Sequence, residues 1–352
     1  MVEQLLAAEL ASTDGGCLSG CGPQRGVAHR PDTASTDALV APERPDGQVC
    51  AQRCRGLPFP PVSRFDEDTA VEPRGEGRFH LHVSRDWWVV LGPNGGFVAA
   101  VLLRACAAVV DEPDRTPRTL TVHYLVPPRE GPADIEVTVE RAGRGVTYLS
   151  ARLFQDGKLL ALAVSAFSGP RPSVTEFSHG AMPEVPPPRK CLRLVADDAG
   201  IPVRHRWETL WGVGPLPGSA EPDPGEIEVG GWIRLAEPSP LDHVVLAAMA
   251  DAWLPPIVSL PEPPTSAVPT VELTVHFRDR ERLAALAPDA WCLAVFRSET
   301  AQEGFIEEDG EIWSADGRLL AQCRQLAVLL PLPEDHQRTP LRFETYRSVN
   351  QA

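Results

Sequence analysis

The feature of this 352-residue chain that most constrains its fold is an internal repeat. Two short sequence blocks recur in the same order, and each pair follows an almost wholly apolar stretch. Leu-Thr-Val-His-Tyr at 120–124 matches Leu-Thr-Val-His-Phe at 273–277, and Asp-Gly-Lys-Leu-Leu-Ala at 156–161 matches Asp-Gly-Arg-Leu-Leu-Ala at 316–321. One hydrophobic hairpin is a common coincidence, whereas two matched blocks in one order indicate two copies of a structural unit.

Each copy contains a predicted buried helix followed by four predicted strands. Residues 97–110 and 241–254 are apolar on nearly every side, and their length and alanine content favour helices that a sheet has to enclose. Asp-Gly turns join the last two strands of each copy into hairpins. The predicted fold class is α+β, with a long antiparallel sheet around a central helix in each unit. The predicted strands are 78–83, 119–126, 135–141, 146–155 and 158–167 in the first copy, and 203–210, 228–235, 271–277, 291–298, 304–314 and 318–330 in the second.

Changes in composition divide the chain into segments. The N-terminal part is rich in Gly, Pro, Ser, Asp and Arg and, beyond a short helix predicted at 2–10, has no sustained apolar period, which is typical of disorder. A proline-rich stretch between the two copies is typical of a linker. The predicted segments are a disordered extension at 1–70, a first unit at 75–168, a linker at 169–198, a second unit at 199–333 and a C-terminal tail at 334–352.

Charge and hydropathy narrow the classes of partner. The net charge of −15 and the pI of about 5.1 argue against a nucleic-acid partner and against an anionic membrane surface. No stretch reaches the roughly 18 apolar residues that span a bilayer, and the N-terminus lacks a basic region followed by a long apolar segment. The sequence therefore predicts a cytoplasmic protein without a membrane span.

The eight cysteines fall into two groups. In the N-terminal extension, two Cys-x3-Cys pairs offer four thiolates that could hold zinc, but structural zinc sites usually show two-residue spacing. Loose thiols are the favoured interpretation there, and no metal is predicted. The cysteines of the body are predicted to be free and buried. The first group is Cys17, Cys21, Cys50 and Cys54, and the second is Cys106, Cys191, Cys292 and Cys323.

A helix followed by four antiparallel strands, given twice in one chain, resembles the double-hotdog acyl-CoA thioesterases of the type II class. The resemblance is carried by Gly-Pro-Asn-Gly-Gly at 92–96, by the two Leu-Thr-Val-His segments and by the last hairpin at 316–325. It implies a tandem (double) hotdog fold that hydrolyses acyl-CoA thioesters to a free acid and CoA. It also implies no cofactor beyond the CoA of the substrate, and a homo-oligomer, since hotdog units often pair further.

The resemblance places one active site in the second unit. The family has an Asp on the central helix, a Thr or Ser at the start of the next strand and a Gln on the last strand, and these positions fall on Asp251, Thr270 and Gln325. Such a carboxylate can take a proton from water while the hydroxyl and the amide orient that water. The backbone N–H groups of Gly95 and Gly96, brought over by the first unit, are the predicted oxyanion donors.

The loop between Asp251 and Thr270 is short and rich in proline, which departs from the family pattern at the acyl entrance. By residue type alone, Thr270 is an ordinary first residue of a strand and Gln325 a solvent-facing residue of an alternating strand. In the first copy the matching positions are Pro117 and Ser165, so one functional site per chain is expected.

Two alternative functions remain open at this point. One is a hotdog hydratase or dehydratase acting on enoyl or hydroxyacyl thioesters, which would use a His/Asp pair such as Asp242 and His243. Adjacent helical residues point about 100° apart, which disfavours their convergence on one substrate. The other is a non-catalytic protein that binds acyl thioesters, because a fold does not fix a function.

Overall fold

The computed structural model describes residues 63–195, 201–217, 227–263, 265–332 and 341–346. These residues contain four α-helices and seventeen β-strands. The helices are α1 (Arg64–Asp68), α2 (Gly95–Val110), α3 (His243–Met249) and α4 (Arg280–Ala284). The strands of the first half are β1 (Glu72–Gly75), β2 (Arg78–Val83), β3 (Thr116–Tyr124), β4 (Gly131–Ala142), β5 (Thr147–Gln155) and β6 (Lys158–Ser168). Those of the second half are β7 (Leu192–Leu194), β8 (Trp207–Val213), β9 (Ile227–Leu235), β10 (Ser266–Ala267), β11 (Thr270–Phe277), β12 (Cys292–Ser298), β13 (Ala301–Gln302), β14 (Phe305–Ser314), β15 (Leu319–Val328), β16 (Leu330–Pro331) and β17 (Phe343–Thr345).

A single 15-stranded antiparallel sheet runs through both halves of the described chain. Its order is β1-β2-β4-β5-β6-β3-β11-β15-β14-β12-β9-β8-β7-β17, with β13 beside β14, while β10 and β16 form a separate pair. The two copies meet where β3 pairs with β11, so the two Leu-Thr-Val-His segments lie side by side, with Leu273 opposite Val122. The predicted α+β fold of two tandem units is confirmed.

The two central helices are enclosed as their composition predicts. Every residue of α3 from Val244 to Met249 is buried, and so is α2 from Gly96 to Cys106 apart from Arg104. Each helix begins at a polar cap that satisfies backbone N–H groups which have no partner within the helix. Asn94 accepts from the N–H of Phe97 at 3.2 Å, and Asp242 accepts from the N–H of Val244 at 2.8 Å.

The second helix is shorter than the prediction of 241–254. It ends at Met249, and the following backbone forms tight turns, with the N–H of Ala252 donating to the carbonyl of Met249 at 3.1 Å. Pro255 and Pro256 follow closely, and the residue before a proline disfavours helical geometry. Asp251 therefore lies two residues beyond the helix, so its predicted place on the helix itself is wrong.

Three of the predicted segment boundaries need correction. The extension predicted at 1–70 includes α1, whose cap Ser63 donates a hydrogen bond to Ser239 at 3.0 Å. The linker predicted at 169–198 includes β7, and the tail predicted at 334–352 includes β17, which pairs with β7. Strands of three residues are too short to show alternation in a sequence. The helix predicted at 2–10 and the four cysteines of the extension lie outside the described residues.

The cysteines of the body are free and buried, as predicted. Burial raises the pKa of the Cys106 and Cys292 thiols to about 12, which keeps them protonated and chemically inert at neutral pH. Across the described ranges, we find no helix with the length and apolar character that a membrane crossing requires.

Candidate active site

Asp251 lies where the N-terminus of α2 meets the end of α3. Its Oδ2 accepts hydrogen bonds from the backbone N–H of Gly96 at 3.0 Å and from Nδ2 of Asn94 at 2.9 Å. The same Nδ2 also donates to the backbone carbonyl of Asp251 at 2.6 Å. The carboxylate of the second unit is therefore held by the first residues of a helix that belongs to the first unit, where the helix dipole favours a negative charge.

Thr270 and Gln325 form the second half of this site. The Thr270 hydroxyl donates to Oε1 of Gln325 at 2.8 Å, and both side chains also act as hydrogen-bond donors that lower the pKa of Asp251. A hydroxyl carries a single proton, so Thr270 can direct it either to the amide or to the carboxylate. Asp251 and Thr270 are half-buried, whereas Gln325 is buried. The three side chains predicted from the resemblance therefore meet at one place.

Burial decides the charge state of this carboxyl group. Desolvation raises the pKa of Asp251 to about 6, and the donors from Gly96, Gln325, Gly95 and Thr270 limit the rise. The group is ionised at neutral pH, yet its pKa lies close to that pH. A carboxylate with such a pKa is better suited to take a proton from water than an exposed one.

Gly95 and Gly96 lie beside Asp251, and a side chain at either position would meet close neighbours. A Cβ on Gly95 would lie 2.9 Å from Oδ2 of Asp251, and one on Gly96 would lie 2.3 Å from the carbonyl oxygen of Ala248. The N–H of Gly96 is engaged by the carboxylate. A substrate oxyanion would therefore share these donors with Asp251, and the oxyanion role of the two glycines stays a prediction.

Three residues of the site were not predicted from the sequence. Asn94 clamps Asp251, as described above. Tyr124 donates from its hydroxyl to the carbonyl of Gly95 at 2.8 Å, and Glu308 accepts from Nε2 of Gln325 at 2.6 Å. An Asn directly before a Gly-Gly helix start is a signal for a cap that could have indicated Asn94. Tyr124 and Glu308 lie in ordinary strands, where only the register reveals their positions.

The corresponding place in the first unit carries none of this chemistry. Ser165 lies opposite Leu120 as Gln325 lies opposite Leu273, which confirms the equivalence of Ser165 and Gln325. Leu103 replaces Asp251, because both lie nine residues after the cap residue of their helix (94 to 103, and 242 to 251). With Pro117 at the position of Thr270, this place has no base, and the Ser165 hydroxyl donates to the backbone carbonyl of Thr119 at 2.6 Å.

Asp242 and His243 have structural roles. Asp242 caps α3 through the N–H groups of Val244 and Val245. The His243 ring packs edge-on against Phe277 with 5.4 Å between centroids, and burial lowers its pKa to about 4. A neutral imidazole packed on an aromatic ring, beside a carboxylate that is used as a cap, is not the acid/base pair that a hydratase needs.

Comparison with protein families agrees with this arrangement. The sequence model of the acyl-CoA thioesterase N-terminal domain matches residues 84–168, and that of the acyl-CoA thioesterase C-terminal domain matches residues 183–329. The first match covers α2 and strands β3–β6, and the second covers α3 and strands β7–β15. A comparison with curated proteins gives no match.

Solved structures show the same architecture. A hot dog fold protein of unknown function from Alicyclobacillus acidocaldarius is 31% identical, with a TM-score of 0.67 over 76% of this chain and 98% of the other. A proposed thioesterase II from Thermobifida fusca is 28% identical, with the same TM-score and coverage. An acyl-CoA thioesterase II from Mycobacterium marinum is 21% identical, with a TM-score of 0.58 over 78% and 99% of the chains, which shows the fold alone. The chain belongs to the acyl-CoA thioesterase family, with the double-hotdog fold and the thioester hydrolase activity of that family.

Proposed function

We propose that the protein hydrolyses acyl-CoA by direct attack of a water molecule that Asp251 deprotonates while Thr270 and Gln325 orient it. The observation that carries this proposal is the meeting of a carboxylate, a hydroxyl and an amide at one partly exposed place, with Thr270 and Gln325 2.8 Å apart. The oxygen of the water bonds to the thioester carbonyl carbon and its proton passes to Asp251. The carbon–sulfur bond then breaks, and the proton moves on to the CoA thiolate.

The N–H groups around Asp251 support the same scheme. In the free protein, the N–H of Gly96 stabilises the ionised carboxylate at 3.0 Å. When Asp251 takes up the proton from water, its negative charge disappears while a negative charge develops on the carbonyl oxygen. We infer that the N–H groups of Gly95 and Gly96 then become available to that oxygen, so the donors stay matched to one negative charge throughout the reaction.

The setting of the reaction is part of the proposal. The base and the donors come from the chain itself, so we infer that no cofactor is needed beyond the CoA of the substrate. Four free buried thiols fit a reducing compartment, so we infer a cytoplasmic location. The proposed acyl-CoA substrate is the reason to assign the enzyme to lipid metabolism. We also retain the expectation that hotdog units of this kind pair into a homo-oligomer.

An oxygen-labelling experiment tests direct attack by water. With the enzyme in excess over acyl-CoA in ¹⁸O water, a single turnover should place one label in the released acid. An acyl anhydride formed on Asp251 and opened at the aspartyl carbon would instead leave the label in the protein, which mass spectrometry of the Asp251 peptide would detect. A labelled peptide, or the absence of CoA release across a panel of acyl chain lengths, would contradict the proposal.

The pH dependence of hydrolysis follows from Asp251. Its pKa is raised to about 6, so below that pH the group is increasingly protonated and cannot accept a proton from water. We expect kcat/KM to rise about tenfold per pH unit below about pH 6 and to level off between about pH 6 and about pH 8. Initial rates at low acyl-CoA concentration and constant ionic strength measure this profile. A rate independent of pH between about pH 5 and pH 7 would rule Asp251 out as the base.

Thr270→Val is expected to lower kcat about tenfold. The substitution removes the hydroxyl that donates to Oε1 of Gln325 and, in the proposed reaction, helps to orient the water. Thr274→Val is a matched control on the same strand, since the Thr274 hydroxyl bonds Thr121 of β3. We expect the control to retain wild-type kcat. An equal loss of kcat in Thr270→Val and Thr274→Val would show that β11 does not tolerate the replacement of Thr by Val and that Thr270 has no specific role in the reaction.

A further inference from the structure

Glu308 is an inward-facing carboxyl group on β14. Its neighbours on the strand, Glu307, Asp309 and Glu311, are half-buried on the other side. Each of them has a partner. Asp309 pairs with Arg324, Glu311 lies 3.9 Å from Arg297, and Glu307 accepts from the N–H of Thr300 at 2.9 Å. Glu308 is 8% exposed and, within the part of the chain that the structure describes, bonds the Gln325 amide and no cation.

The hydrogen bond from Gln325 to Glu308 helps to fix the orientation of the Gln325 side-chain amide. Glu308 lies directly opposite Gln325 in the antiparallel register of β14 and β15. Nε2 of Gln325 carries two N–H groups and Oε1 carries none. Glu308 accepts from Nε2 and the Thr270 hydroxyl donates to Oε1, and together these two bonds define a single orientation of the amide. One N–H goes to Glu308 at 2.6 Å, and the second remains for the side of Asp251, whose charge the amide stabilises.

We propose that Glu308 is a positioning residue of the hydrolytic site: by accepting from Nε2 of Gln325, it keeps the amide nitrogen turned towards Asp251 and the attacking water. The inference rests on the function proposed above. If the amide were reversed, Oε1 of Gln325 would face the Asp251 carboxylate. The attacking water would then lie between two hydrogen-bond acceptors and would lose the donor Nε2. Glu308 bonds the amide of Gln325, so it acts through Gln325.

The first unit shows that the fold does not need a carboxyl group at this position. Leu149 lies opposite Ser165 as Glu308 lies opposite Gln325, so Leu149 occupies the equivalent place in the unit that lacks the site. Leu149 is fully buried. A buried acid without a cation costs stability, whereas a leucine there contributes to the core. The carboxyl group is thus present only where there is an amide to orient.

The charge of Glu308 is compatible with this role. Burial raises its pKa to about 8, and repulsion by Asp251, Glu307 and Asp309 adds to the rise, while the bond from Gln325 opposes it. Cys323 of β15 also faces the group, and its own pKa is raised by burial and by Glu308. At neutral pH the pair therefore carries one negative charge, on Asp251, which has more donors. Above about pH 8, a second charge beside the developing oxyanion should slow the reaction.

Two variants with opposite expectations test the proposal. Glu308→Leu copies the residue of the first unit and removes the acceptor, so kcat should fall roughly 10- to 100-fold with KM changed less than about twofold. Glu308→Gln keeps a carbonyl acceptor and cannot ionise. It should restore most of the activity at pH 7 and abolish the decline of kcat above about pH 8. Glu311→Leu, on the same strand but facing outward, is the matched control and should leave both parameters unchanged.

The outcomes separate this inference from the function on which it rests. Wild-type kcat in Glu308→Leu, equal impairment in Glu308→Gln, or an unchanged alkaline decline in Glu308→Gln would each overturn it. A readout without turnover is the exchange of the Gln325 side-chain amide protons, followed by NMR after ¹⁵N-glutamine labelling. They should exchange slowly in the wild type and faster in Glu308→Leu. Equal exchange rates would refute the role of Glu308 even in an active enzyme, while absent wild-type hydrolysis would refute the proposed function alone.

Discussion

Asp251→Asn is expected to lower kcat for acyl-CoA hydrolysis by about 10²- to 10⁴-fold, the range that a general base contributes. The amide that replaces the carboxylate has nearly the same shape but cannot accept a proton from water. An acceptor oxygen remains for the N–H of Gly96, which bonds Oδ2 at 3.0 Å in the wild type. Substrate binding should therefore change much less than turnover, and a kcat loss with little change in KM is the expected result.

The chain offers a matched control for this variant in Asp242. It is a carboxylate at the other end of α3, where it accepts from the N–H groups of Val244 and Val245. Asn caps a helix about as well as Asp, so Asp242→Asn should keep both the fold and the activity. Thermal unfolding and steady-state rates of the two variants decide the matter. A tenth or more of wild-type kcat in Asp251→Asn, or similar losses in both, would show that Asp251 is not the base.

Asp251, Thr270 and Gln325 were predicted from the family resemblance, and strand pairing between the repeats fixes which positions of the two units correspond. The hairpin at Asp316 and Gly317 and the Leu-Thr-Val-His segment determine which residue of β15 faces which residue of β11. Leu273 and Gln325 lie opposite each other, as do Leu120 and Ser165 in the first unit. Alternation then places Gln325 on the inner face, where the helix lies. The prediction of one site, in the second unit only, depended on these matches.

Other features depend on irregularities that a sequence does not show. The register of β14 and β15 shifts between Ile312 and Trp313, and this bulge places Glu308 opposite Gln325. If the pairing continued from Trp313 and Leu319 without the bulge, Glu307 would lie opposite Gln325. A one-residue shift turns every side chain to the other face, so Glu308 was not recognised as part of the site. The cap position of Asn94 has a local signal, but its contact with Asp251 has none, because the approach of two helices from different units is a tertiary contact.

The close contact between α2 and α3 predicts a large loss of stability and activity in Gly96→Ala. A methyl group on Gly96 would lie 2.3 Å from the backbone carbonyl oxygen of Ala248 and 3.0 Å from Oδ1 of Asn94. No side-chain rotation relieves a contact with backbone, so α2 and α3 would have to separate. We expect a loss of about 1 to 3 kcal/mol in the free energy of unfolding, typical of overpacking. Activity should fall further, because the displaced N–H of residue 96 is a donor to Asp251.

Denaturant unfolding of Gly96→Ala and of a control, Gly169→Ala, measures this effect. At Gly169 the nearest atom to an added Cβ is the carbonyl oxygen of Asp114 at 3.7 Å, an ordinary contact, so the control should differ from wild type by no more than about 0.5 kcal/mol. Helix propensity alone predicts the opposite sign for Gly96→Ala, a gain of up to about 1 kcal/mol when Ala replaces Gly in a helix. A stabilised Gly96→Ala variant would therefore show that α2 and α3 do not pack this closely. A destabilised, inactive one would show that the contact between the two units is what brings the N-terminus of α2 to Asp251.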